Sequence, residues 1–160
     1  MMTQQEHCIH LLMATKEYFD RSTRPLKEEH SAFRPSEGMF TVAEQVAHTA
    51  QTVEWFFQGV LTAAGFDLDF EKIGREVAAI KSLDEARKWM DRAFASAAKE
   101  MESRPWSDWE AVLPDNPILG PVPRWTILDA IVDHTAHHRG ALTAYSRQLG
   151  MTPPMPYMDM

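Results

Sequence analysis

The chain has 160 residues, enough for one domain with a sizeable core and no covalent staples. A hydrophobic share of 44% and a charged share of 24% are those of a globular protein, and the single cysteine, Cys8, leaves no internal disulfide to form. The net charge of −7 repels a phosphate backbone, and the lysines and arginines are scattered, so no nucleic-acid partner is expected.

The start, Met1-Met2-Thr3-Gln4-Gln5-Glu6, lacks the basic-then-apolar pattern of a signal peptide. The best apolar run is broken by Glu54 and Gln58 and falls short of the ~18 residues a membrane span needs. The expected location is therefore the cytoplasm, with no membrane partner.

Four long helices are predicted in chain order. The first covers about residues 4–22, with Ile9, Leu12, Met13 and Phe19 among its apolar positions and Pro25 behind its end. The second covers 41–61 and opens on Thr41 with Glu44 three residues on, a capping box. Gly65 and Asp67 mark the break after it. The third, 82–103, opens on Ser82 and Glu85, a second capping box, and carries Leu83, Met90, Phe94, Ala97 and Met101 along one stripe. The fourth, 126–149, meets Gly150 where a C′ glycine belongs, with Pro153 beyond. An irregular tail over 150–160 follows. No strand pattern and no internal repeat are present in the sequence. The fold class is all-α, a four-helix bundle over a single domain, 1–160.

Two connections, 23–40 and 104–125, are long. The second is rich in Pro and Trp, including Trp106, Trp109 and Trp125. Such a loop either packs over one end of the bundle or serves as a lid, a binding loop or an interface arm. Trp106 and Trp109 accordingly either anchor the loop or close over a substrate.

Helical spacing separates the seven histidines. At 100° per residue, Ile127, Ile131, His134, His138, Ala141, Tyr145 and Leu149 fall within about 40° on either side of one line along the fourth helix. Two imidazoles thus sit one turn apart on the buried stripe, where their Cβ atoms would be ~6 Å apart. Burying two such rings requires that their nitrogens be satisfied, by hydrogen bonds or by a shared metal ion. His137 lies about 80° off this stripe. On the second helix, Val42, Val46, Val53, Phe57 and Val60 form an apolar face. His48 lies opposite, beside Thr41, Glu44, Gln45, Thr52, Trp55 and Gly59, a side that reads as the wall of a wet cavity. His48 is the expected third ligand. Three neutral histidines would leave a position open, as catalytic zinc sites do, and imidazole also suits Ni, Cu and Fe. No Glu follows His134 to act as a zincin base, and no Glu-x-x-His pair of a di-iron bundle exists. Cys8 has no motif around it and reads as a small buried hydrophobe.

The stretch Asp133-His134-Thr135-Ala136-His137-His138-Arg139-Gly140-Ala141-Leu142 resembles the last-helix signature of the DinB-like metal-binding proteins, and Glu44-Gln45-Val46-Ala47-His48 is similar to their second-helix motif. The departure is Ala141, where that signature commonly has Gln. The resemblance implies an antiparallel four-helix bundle with an unusual order of connections, a homodimer, and a triad of His48, His134 and His138 for Zn or Ni. It also implies a metal-dependent transferase or isomerase using a low-molecular-weight thiol such as mycothiol, bacillithiol or glutathione. The expected function is a thiol S-transferase acting on a small-molecule substrate. A metal-dependent hydrolase, a non-catalytic metal-binding stress protein and an assembly module are the alternatives. Trp55, Tyr145, Trp106 and Trp109 are the candidate pocket residues.

Overall fold

Apolar positions at helical spacing become six α-helices among the described residues: α1 Gln4–Thr23, α2 Val42–Leu61, α3 Phe70–Ala79, α4 Leu83–Ser103, α5 Trp106–Glu110 and α6 Ile127–Gln148. The computed structural model describes residues 1–159; Met160, the last residue of the expected tail, lies outside them. The four long helices match their predicted spans to within a residue or so at each end.

Local chemistry sets those ends. Thr3 with Glu6 and Thr41 with Glu44 form reciprocal capping boxes at the starts of α1 and α2. At α4 only half of the expected box forms: Ser82 Oγ accepts from Glu85 N, while Glu28 from the α1–α2 connection takes the Asp84 N–H. Gly150, at φ 79°, ends α6 in a Schellman arrangement: Met151 N–H reaches Ser146 O and Gly150 N–H reaches Arg147 O.

Two helices were not predicted. α3 is ten residues long with Gly74 inside it and only Val77 buried, so its own propensity is weak. It packs on α2, and Asp69 caps it by accepting from Lys72 N. α5 is a five-residue turn behind Pro105.

The core ring is made by α2 against α4, α4 against α1, α1 against α6 and α6 against α2. Consecutive α1 and α2 therefore lie across the ring from each other, as do α4 and α6. This is why connections 24–41 and 104–126 are long: each crosses an end of the bundle.

Hydrogen bonds and ion pairs fix the directions. Gln5 near the start of α1 binds Met101 O near the end of α4, and Lys16 pairs with Asp91, so those helices run antiparallel. Gln45 meets Tyr145 while His48 meets His134, so α2 and α6 are antiparallel too. Glu44 pairs with Lys81 just before α4, while Phe57 and Ala97 line one cleft further along, so α2 and α4 run parallel. A helix of 20 residues is about 30 Å long. The segment 62–82, with α3 inside it, carries the chain back over that length.

The interior is filled by Leu12, Phe19, Val46, Val53, Phe57, Met90, Phe94, Met101, Ile127, Ile131 and Leu142, among others. Cys8 is buried as expected, and burial pushes its thiol pKa up. No helix among the described residues is long and apolar enough to cross a membrane.

Candidate metal centre

The antiparallel pairing of α2 and α6 sets the first two turns of α2 against the stretch of α6 from His134 to Tyr145. His48 projects from α2 toward His134 and His138, which stand one turn apart on α6. His134 Nε2 lies 3.1 Å from His48 Nε2 and 3.2 Å from His138 Nε2. Ligand nitrogens from all three fall within 4.8 Å of one another.

These spacings fit a metal ion. Tetrahedral coordination with metal–nitrogen bonds of about 2.0–2.1 Å separates ligand nitrogens by about 3.3–3.4 Å. Shared protons are a poorer explanation of the cluster. A proton on His134 Nε2 can point at only one neighbour, and the contact with the other is then left with no proton between the two nitrogens. The three histidines are positioned to hold a divalent ion.

A polar chain behind His138 fixes which of its nitrogens faces inward. Tyr145 donates its hydroxyl proton to Phe40 O at 2.9 Å. Gln45 Nε2 donates to Tyr145 Oη at 3.1 Å, which turns the amide oxygen toward α6. That oxygen accepts the Nδ1–H of His138 in a short bond. The proton held on Nδ1 leaves Nε2 with its lone pair directed at His48 and His134. Carbonyl support of this kind orients metal-binding imidazoles and strengthens them as donors. Ala141 carries no amide; the amide here comes from α2.

Electrostatics agrees. Burial, and secondarily the neighbouring His48 and His137, pushes His134 down to about 4. Burial and then His134, His48 and His137 push His138 down to about 3. His48 is also lowered, by burial first and then by His137. All three rings are therefore neutral at pH 7, the state that binds a metal. His137 is exposed and lies outside the cluster.

His48 and His134 also form the floor of a cavity of about 210 Å³ whose walls include Trp55, Phe56, Phe70 and Ile73. Here one expectation is corrected. The His48 side of α2 is not a wet wall: Gln45, Thr52 and Gly59 are buried, and the cavity surface is almost wholly apolar. The α3 side chains dry it. Phe70 and Ile73 come from a helix that was not predicted, so their part in the wall was missed.

The four pocket candidates separate. Trp55 lines the cavity, and its indole N–H donates to Asp67 O at 2.7 Å. Tyr145 stands behind the histidines at the far end of the polar chain. Trp109 is fully buried against Phe57, and half-buried Trp106 packs on the core from the same short helix α5. Neither Trp106 nor Trp109 reaches the cavity beside His48; a loop anchored over the other end of the bundle explains both.

Gln45 was also missed as a partner of His138. It lies three residues before His48, on the same face of α2, and that spacing could have pointed to it.

A helical bundle with three histidines converging from its second and last long helices defines a bundle protein with a candidate metal site. A model of the DinB family matches residues 1–160, and the chain belongs to that family. No curated protein matches the chain.

Proposed function

We propose that His48, His134 and His138 bind one divalent ion, Zn or Ni, and that the protein is a metal-dependent enzyme transferring a low-molecular-weight thiol to a small electrophilic substrate. One observation carries this reading: two of the three histidines form the floor of a cavity able to receive a small molecule. A purely structural ion would have no use for such a space.

An ion held by His48, His134 and His138 would lower the pKa of a thiol or water and so supply a nucleophile near neutral pH. The chain's own residues do the rest. Gln45 and Tyr145 hold His138 in one tautomer. Trp55, Phe56, Phe70 and Ile73 exclude water from the reacting groups, which strengthens every polar interaction among them. In the transfer, the sulfur forms a bond to the electrophilic carbon as the leaving group departs with the electron pair, and the thiol proton passes to solvent.

The test pairs low-molecular-weight thiols with an activated aryl halide or an epoxide and follows thiol consumption. Metal-loaded wild type should consume thiol, and both a chelator-stripped sample and His134→Ala should not. Consumption that is indifferent to metal, or none with any thiol by fully loaded protein, overturns the transferase reading.

A further inference from the structure

The cavity above His48 and His134 has a chemistry of its own, which narrows what can occupy it. Its lining contains no charged side chain; besides the two histidines, its only polar residues are Gln51 and Thr52. The aromatic rings are interlocked. Trp55 lies 4.9 Å from Phe66 and 6.2 Å from Phe70 between ring centres, and Phe56 stands edge-on to Trp55 at 5.1 Å. Phe66 packs directly on the backbone of α2, its ring in the place a Cβ on Gly59 would take. The wall is thus pre-formed, and Gly59 is what lets it approach α2 so closely.

Size is set from the α3 side. Ile73 is half-buried against the cavity, whereas Phe70 is 59% exposed at its edge. An apolar protein cavity of about 150 Å³ takes up benzene; this one, at about 210 Å³, holds a substituted single ring or a short branched alkyl group. Charged groups stand on the far side of Trp55. A neighbouring cavity of about 260 Å³ shares Gln51, Trp55 and Ile73 but is lined by Glu54, Asp67, Lys72 and Glu76.

Resting on the reading of the histidines as a catalytic metal centre, we propose that this chamber binds an uncharged, ring-sized apolar part of the substrate, with Ile73 and Phe70 of α3 setting its size limit. Burying an ionised group among these walls would cost far more than contact could return. Selection is for neutral aryl or alkyl electrophiles, and α3 is the element that selects.

The probes are benzyl alcohol, its charged counterparts benzoate and benzylammonium, and the larger 2-naphthalenemethanol, titrated into the protein as purified. The readouts are the NMR shifts of the Trp55 indole N–H and the Ile73 δ-methyl, with metal content measured on the same samples. Benzyl alcohol should shift both signals saturably, and the two charged probes should not. Ile73→Phe should weaken benzyl alcohol binding by about tenfold or more by filling the space. Phe70→Ala, a change at an exposed position, should let 2-naphthalenemethanol bind more tightly than it does to wild type. Equal binding of the charged probes, or unaltered binding in both variants, overturns the proposal. A wild type that holds metal but gives no shifts also refutes the chamber alone. Shifts at both signals in a protein that holds no metal support the chamber and refute the metal centre.

Discussion

Gln45 on α2 accepts the Nδ1 proton of His138 on α6, two residues 93 positions apart in sequence. The bond ties two helices together and commits the other nitrogen of that imidazole to the cluster. Replacing Gln45 with Leu removes the acceptor, strands a buried N–H and frees the tautomer. Metal affinity, measured by competition with a chromophoric chelator, should fall by about 10–100-fold. Tyr145→Phe, one bond further back, should cost less, since the Gln45 amide keeps its contact with His138. Unchanged affinity in Gln45→Leu would show that the amide only fills space.

The depressed histidine pKa values make the metal-free protein sensitive to acid. In the unfolded chain these imidazoles take up protons near their ordinary value of 6.5, whereas folded His134 and His138 do so only near 4 and 3. Below pH 6.5 the unfolded state therefore binds more protons, and stability falls with pH. Their contribution is fully present above about pH 6.5 and is lost progressively as pH drops toward 4 and 3. Denaturation midpoints of chelated protein between pH 7.5 and 4.5 (about the range of the histidine titration) should fall more steeply for wild type than for a His134→Gln/His138→Gln variant. Parallel curves would contradict this.

Much of this centre was legible before any fold was known. His134 and His138 at i, i+4 on an apolar stripe, and His48 on the opposite side from the valines of α2, are statements about helical periodicity, and the structure brings those three together. The capping pairs at Thr41 and Gly150 worked because they are local. What escaped was set by tertiary contact. α3 has a glycine in its middle and one buried residue, so it exists through its packing on α2. The dryness of the chamber depends on Phe70 and Ile73 of that helix. The parallel course of α2 and α4 has no local signature, and it is paid for by the long return through 62–82. The tryptophans of 104–125 were visible, but their composition alone could not tell an anchor from a lid.

Trp109 provides the test of that last point. It is fully buried beside Phe57, and its indole N–H has no partner. Trp109→Ala should destabilise the fold by about 3–5 kcal/mol, read from urea denaturation, while metal affinity at low temperature stays at the wild-type value. A nearly unchanged midpoint would mean that the loop is not anchored by this ring.

The most direct measurement is metal per chain, by elemental analysis of protein purified without added chelator, with His138→Ala and His137→Ala prepared in parallel. Wild type and His137→Ala should each carry one equivalent of a divalent ion, because His137 is exposed and outside the cluster, and His138→Ala should carry almost none. Equal metal in His138→Ala and wild type, or loss in His137→Ala alone, would contradict the assignment of His48, His134 and His138 as the metal centre.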